Sequence, residues 1–273
     1  MTSEPAQDPA PPGDHPSFDT SVAHPARIYD YLLGGKDNYA VDRAAGAAAI
    51  ESYPDAVSAV RANRAFLARA VSYLAAEAGV RQFLDIGTGI PTANNTHEVA
   101  QAVAPDCRVV YVDNDPIVLA HARALLVGSP EGATDYLDAD LRDTDRILDQ
   151  AAATLDFSRP VAVVLMAILH LIEDSDDPYG IVGTLTGATP AGSYLALSHI
   201  ASDIDQQAVA EARERVSRLM PVKQTYRSHA QVTQFFDGMR LVPPGVVPVQ
   251  EWRPAAAEAD ARSAAWGGVG RKS

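Results

Sequence analysis

The sequence predicts a doubly wound α/β sheet, largely parallel and preceded by a helical layer, and three observations carry that expectation. The stretch Gln82–Thr92 (QFLDIGTGIPT) reads as a short buried strand running straight into a glycine turn, with Asp85 two residues ahead of Gly87. Apolar strand patterns then alternate with helical ones, as crossover connections require. The run Pro160–Leu169 (PVAVVLMAIL) is almost wholly apolar, as a central parallel strand covered on both faces must be.

Taken in order, residues 1–24 are rich in Pro, Asp and Ser, with neither a basic start nor the apolar core of a signal peptide, and are expected to form a disordered tail. Residues 25–80 are expected to form a helical lid, and residues 81–273 the sheet domain. Within the lid, PARIYDYLLGG is a short helix closed by Gly34 and Gly35. KDNYAVDR opens an alanine-rich helix to about Ser52, and Pro54 suits the first turn of a third helix ending near Gly79. That helix carries an apolar stripe of Val57, Val60, Leu67, Val71, Leu74 and Ala78, interrupted by Arg64, a guanidinium that wants an anion.

Beyond the first strand, helices are expected over Asn95–Ala104, Asp115–Val127, Asp143–Leu155, Pro178–Ala188 and Asp205–Leu219, the last with Ala208, Ala212, Val216 and Leu219 on one side. Strands are expected at Arg108–Asn114, Thr134–Leu141, Pro160–Leu169 and Ser193–Ser198. Leu241–Trp252 holds three prolines and suits an edge strand, with AAWGGVG beside it as the last of seven. The segment Ala255–Ala265 reads equally as a loop or a weak helix.

Composition bounds the partners. With 22 Lys plus Arg against 35 Asp plus Glu, a net charge of −13, the surface repels phosphate backbones and anionic membranes, which argues against nucleic acid as a partner. The lone Cys107 cannot form an internal disulfide and reads as a small buried hydrophobe. No run of about 18 apolar residues is present, so no membrane partner is expected, and the reading is a soluble cytoplasmic protein of unknown oligomeric state.

The glycine turn points to a nucleotide-type ligand, because glycine lets the backbone pass close beneath one. A nicotinamide dinucleotide would need G-x-G-x-x-G and a helix that starts at once, with its amide ends on the pyrophosphate. Here Thr92 stands at the third glycine position, Pro91 lies inside the loop, and the helix start signal, Asn95 with Glu98, comes late. A ligand without phosphates fits better. S-adenosylmethionine is one: Asp85 suits its ammonium, the backbone of Gly87, Thr88 and Gly89 its amino-acid portion, and Asp113, at the tip of the second strand, its ribose diol. Asp140, with Leu141, suits the adenine, and Asn114 lies next to the adenosine. Asp113 and Asp140 have rival readings as helix caps, a role open also to Asp115, Asp138 and Asp143.

The blocks ARIYDYLLGGKDNY, FLDIGTGIPTANNTHEVAQ, VVYVDNDPIVLAHARALL and the closing GGVGRK together resemble a family of class I S-adenosylmethionine-dependent methyltransferases of small-molecule type, a likeness running from about Ala26 to Lys272. The resemblance implies a Rossmann-like seven-stranded fold and that cofactor, without supplying the acceptor. Pro91 replaces the last glycine of the common D-x-G-x-G-x-G pattern. Against this background the N-terminal block reads as a lid with Gly34, Gly35 and Tyr39 near the methionine end, and Arg64 as a partner for a ligand carboxylate or a structural one. His170 follows the fourth strand, a place that in this class faces the transferred methyl. It is a candidate general base, with His199 as a second. No metal site is expected, because His97 with Glu98 and His121 lack the spacings of one. A cofactor-binding module without catalysis remains the other reading, and a nicotinamide-binding protein a third.

Overall fold

Every strand from the middle of the sheet is buried along its length because helices cover both faces. The computed structural model describes residues 19–125, 128–220, 222–254 and 262–273. Most of the expected tail, residues 1–18, and residues 255–261 of the alanine-rich segment lie outside these. Three helices come first: α1 (Pro25–Leu33), α2 (Ala40–Ser52) and α3 (Ala56–Ala76). Ordered chain precedes them: Ala23 is buried and His24 is the N-cap of α1, so packing begins before the boundary expected at residue 24. Then follow β1 (Gln82–Ile86), α4 (Thr96–Val103), β2 (Arg108–Asp113), α5 (Pro116–Leu125), β3 (Ala133–Asp138), α6 (Thr144–Ala151), β4 (Ala162–Met166) and α7 (Pro178–Gly187). The chain closes with β5 (Tyr194–Ile200), α8 (Gln206–Ser217), α9 (His229–Gln234), β6 (Met239–Leu241), β7 (Val247–Pro248) and β8 (Ala265–Lys272).

The strands make one mixed sheet in the order β3-β2-β1-β4-β5-β8-β6, seven along the path, with the two-residue β7 paired to β8 as an eighth. β1 to β5 run parallel, and β8 inserts antiparallel between β5 and β6. The glycine-rich GGVG text therefore lies inside the sheet, and the proline-containing β7 lies off the main path, where a missing N–H costs little.

Alternation along each strand separates two cores. Leu84, Ile86, Val110, Val163, Leu165 and Leu197 face α6, α7 and α9, while Phe83, Val109, Tyr111, Val164 and Ala196 face α3 and α4. On α3 the inward stripe is Phe66, Leu67, Ala70, Val71 and Leu74, with Val57 and Val60 only half-buried. α8 is turned slightly from expectation: Val209 and Val216 face inward, and Leu219 is 46% exposed. β4 stops at Met166, three residues early, because Ala167 takes a φ of 50° and Leu169–Leu171 coil into a 3-10 turn. The short α9 was not expected; a Ser228–Gln231 capping box starts it.

On β8, a Cβ at Gly267 would lie 2.8 Å from Val249 Cγ1 and 3.0 Å from the Phe66 ring. Gly267→Ala is expected to overpack this seam and lower stability by about 1 to 3 kcal/mol, read as a drop in the denaturant midpoint at unchanged m-value.

Candidate functional site

The carboxyl ends of β1 to β5 open into a cavity of about 420 Å3, roofed by α1, α3 and α8. Asp85 is the next-to-last residue of β1, just short of the glycine turn, and is buried, with Oδ2 accepting from Thr96 Oγ1 at 2.6 Å. Burial pushes its carboxyl up to about 6, against the opposing pull of Thr96 and Arg64. Gly87 has φ 75° and its N–H donates to Val112 O at 2.8 Å; a Cβ there would strike Ile168 at 2.6 Å, so two loops meet at this point. Thr88 follows it along the lining. Gly89, at φ 68°, has no atom within 4 Å of where a Cβ would stand. Its backbone is bare toward the cavity.

Asp113 ties this turn to the next strand. Its Oδ2 accepts the Gly89 amide and its Oδ1 the Asp115 amide, each at 2.9 Å, although burial raises its own pKa. The helix-capping role belongs to Asp115, whose Oδ1 accepts the Ile117 amide at 2.9 Å. Burial would raise Asp115, yet its contacts with His24, led by Nδ1 at 2.9 Å from Oδ2, hold it below the usual carboxylate range. Asn114 Nδ2 donates to Asp140 Oδ2 at 3.1 Å, and Arg142 grips both Asp140 oxygens at 3.0 Å while its Nε donates to Asp176. Asp143, not Asp140, is the N-cap of α6. Leu141 is buried beside them, and Asp113, Asn114, Asp140, Leu141 and Arg142 line the cavity.

Arg64 also lines it: NH2 donates to Ala93 O and Asn94 O, both at 3.1 Å, holding the loop in which Asn94 has φ 61°, and its charge acts on Asp85. Gly34, Gly35 and Tyr39 are not among the described lining residues. Gly34 ends α1 at φ 84°; Gly35 abuts the Asp30 carboxylate, which a Cβ would overlap; Tyr39 is the N-cap of α2 and is 38% exposed. Their work is to shape the turn: Asp30 Oδ2 accepts from the Asp37 amide and Asn38 Nδ2.

His170 and His199 lie side by side, ring centroids 6.2 Å apart. Burial drives both down to about 3, helped by the positive charge of Arg227. His199 is committed: Nδ1 donates to Ile200 O at 2.8 Å and Nε2 accepts from Arg227 NH1 at 2.9 Å. His170 is not, for its Nδ1 is buried without a partner among the described residues. Sequence reasoning missed Arg227, which is fully buried and donates to Leu169 O, Ile172 O and Asp174 Oδ1, pinning the turn that carries His170. It missed Asn63 and Ser198 too. The Ala167 amide donates to Ser198 Oγ, Ser198 Oγ to Asn63 Oδ1, and Asn63 Nδ2 to the Tyr29 hydroxyl, so one buried chain joins the ends of β4 and β5 to α3 and α1. The available signal was Asn63 itself, an amide one helical turn before Leu67 on an inward stripe.

Among the described residues no three His, Cys, Asp or Glu side chains are grouped to hold a metal, and no helix is long and apolar enough to cross a membrane. The N-terminus of α4 is closed by its own Asn95–Glu98 capping box, which leaves no cradle for a pyrophosphate. The same strand tips bring together the buried Asp85 carboxyl, the glycine turn and the Asp113 carboxylate on the neighbouring strand. The sheet order is that of a class I methyltransferase.

Comparison with known proteins agrees. The family model described as S-adenosyl methyltransferase matches residues 12–273, and the chain belongs to that family as an S-adenosylmethionine-dependent methyltransferase. Among solved structures, a DUF574-family protein from Streptomyces avermitilis is 49% identical, covering 93% of this chain and 99% of its own, with a TM-score of 0.91. A candidate methyltransferase from Thermobifida fusca is 40% identical over 94% of this chain and 97% of its own, at 0.85. An O-methyltransferase family protein from Burkholderia thailandensis shares the fold at 15% identity, covering 76% of this chain and 55% of its own, with a TM-score of 0.50. A search of curated proteins finds no match.

Because His170 and His199 are depressed to about 3, the unfolded chain binds protons that the native one refuses between pH 6.5 and 3. Their contribution is therefore complete above 6.5 and is lost as pH falls, on the order of 1.4 kcal/mol per pH unit for each ring. NMR should find neither imidazole titrating between pH 8 and 5, while chemical denaturation finds the protein weaker at pH 5 than at pH 7.

Proposed function

We propose that this chain methylates a small-molecule acceptor, holding its cofactor along the ends of β1 to β3 and the acceptor next to His170. The single observation that carries the reading is the continuity of the cavity, which reaches from Asp85 and Asp113 to His170 beneath the helical roof. Asp85 would pair with the ammonium, the Gly87–Gly89 backbone would lie against the amino-acid portion, Asp113 would accept from the ribose hydroxyls, and Asp140 with Leu141 would frame the adenine. S-adenosylmethionine supplies a methyl already activated on a sulfonium. The chain's part is therefore to bind, orient and keep water away, and orientation alone is worth up to roughly 7 to 11 kcal/mol.

The roof serves that purpose, since α1 and α3 are tied to the sheet at both ends of the cavity, by His24–Asp115 and by Tyr29–Asn63–Ser198. His170, uncharged at neutral pH, offers a hydrogen-bonding nitrogen with no cationic charge. The expected cytoplasmic setting suits the buried, unpaired thiol of Cys107, which burial raises to about 11 and so keeps protonated.

The direct test is formation of S-adenosylhomocysteine from S-adenosylmethionine with fractionated metabolite extract. Turnover in a fraction of small neutral molecules supports the reading, and turnover confined to macromolecular fractions refutes it. By calorimetry, Asp113→Ala should weaken cofactor binding by about 1.5 to 3 kcal/mol, the worth of hydrogen bonds to a charged group. Asp85 must be ionised to pair with an ammonium, so affinity should fall about tenfold per unit as pH drops below 6, and Asp85→Asn should flatten that slope. A steep slope retained in the Asn variant would rule out this role for Asp85.

A further inference from the structure

Beyond the strand tips the cavity changes character. Ile28, Leu32, Val209, Ala212, Val216 and Met220, from α1, α8 and the turn after it, line its outer part. Ile28, Val216 and Met220 also belong to a small apolar cluster of their own, apart from the two sheet cores. The charged groups of the described lining are spoken for elsewhere. Asp30 is turned onto Asn38 and the Asp37 amide, Arg64 onto two loop carbonyls, and Asp140 onto Arg142. Asp85 and Asp113 lie at the tips of β1 and β2.

What the outer chamber offers besides methyl and methylene surface is neutral. Tyr53 lines it with its hydroxyl raised to about 12 by burial, so it stays protonated. Three lining residues carry a buried polar atom without a partner among the described residues: Tyr53 at its hydroxyl, His170 at Nδ1 and Ser263 at Oγ. Unpaired polar atoms buried in an otherwise apolar wall cost stability unless a ligand completes them, and an apolar pocket with a few convergent polar groups is how small-molecule sites are built. An ionised acceptor would lose its hydration on entering this largely apolar wall.

We propose that the acceptor is an uncharged, largely apolar hydroxyl compound of the phenol type, seated among α1, α8 and Tyr53 with its hydroxyl hydrogen-bonded to His170. This deepens, and rests on, the reading of the site as a cofactor-bound methyltransferase. The acceptor oxygen uses a lone pair to form the new carbon–oxygen bond; the methyl–sulfur bond breaks with its electrons staying on sulfur, and the hydroxyl proton passes to His170 and on to solvent. A phenol suits this place better than an aliphatic alcohol. A weakly basic imidazole draws on an O–H of pKa about 10 far more readily than on one several units higher.

Calorimetry on the full chain separates the outcomes. S-adenosylhomocysteine is titrated first, then 1-naphthol, 1-naphthoate and 1-naphthylmethylammonium into the protein saturated with it. Naphthol should bind at least tenfold more tightly than either charged analogue. Ala212→Glu, on a half-buried face of α8, should weaken naphthol at least tenfold while leaving S-adenosylhomocysteine binding within twofold and the melting temperature within a few degrees; His170→Phe should reduce naphthol binding but not that of naphthalene. If S-adenosylhomocysteine binds and a charged analogue matches or beats naphthol, or naphthol does not bind, the acceptor class is wrong and the cofactor reading stands. If S-adenosylhomocysteine itself fails to bind, both fall together.

Discussion

One carboxylate organises the strand-tip end of the cavity. Asp113 spends an oxygen on each of two backbone amides, Gly89 from the turn after β1 and Asp115 from the turn after β2, so the positions of neighbouring loops are set by a single rigid group. Neither loop has regular structure to hold it. Take the carboxylate away and the bare face of Gly89 has no fixed relation to the second strand. The influence extends outward, because Asp115, once placed, meets His24 at the entrance to α1 and lies 3.7 Å from Arg27, which is itself 3.7 Å from Asp42. Sheet, loop and roof thus share one electrostatic thread.

A second thread runs from the other end of the cavity through neutral groups. Ser198, Asn63 and Tyr29 hand hydrogen bonds from β5 to α3 and then α1, and the Tyr29 hydroxyl donates onward to Val60 O at 3.1 Å. Polar chains of this sort are costly when half satisfied and rigidifying when complete. This one also holds Ala167 in a left-handed conformation that a non-glycine residue seldom adopts, bending the chain sharply at the end of β4. Arg227 fixes the far side of the same bend by donating to the carbonyls of Leu169 and Ile172. The result is that His170 stands on a turn held from both sides, its Nδ1 without a hydrogen-bond partner among the described residues.

The elements were legible where a single local rule governed them. Gly34 ends its helix and Asn95 begins one as their residue types require, and the apolar run at Pro160 sits in mid-sheet. What escaped depended on contacts between distant segments. Arg64, a charge on an inward stripe, gave no sign in the sequence of the two loop carbonyls that accept from it. Gly34, Gly35 and Tyr39 lie outside the described cavity lining, in a turn marked by the close approach of Gly35 to Asp30, which no local pattern announces. Arg227 gave no local sign at all: its partners lie up to 58 positions away in the chain. In α8, small residues leave the periodicity ambiguous by one position, and only the packing of Val209 and Val216 fixes its rotation.

The few residues ahead of α1 matter more than their composition suggests. His24 faces Asp115 and its backbone amide donates to Asp42, while Val22 accepts from Arg27 and Ala23 is packed away from water. A protein trimmed to begin at Pro25 would look tidy on paper but would strip two acids and an arginine of partners at once. Shortened versions meant for crystallisation or for fusion to an affinity handle should retain the chain from Asp19 onward.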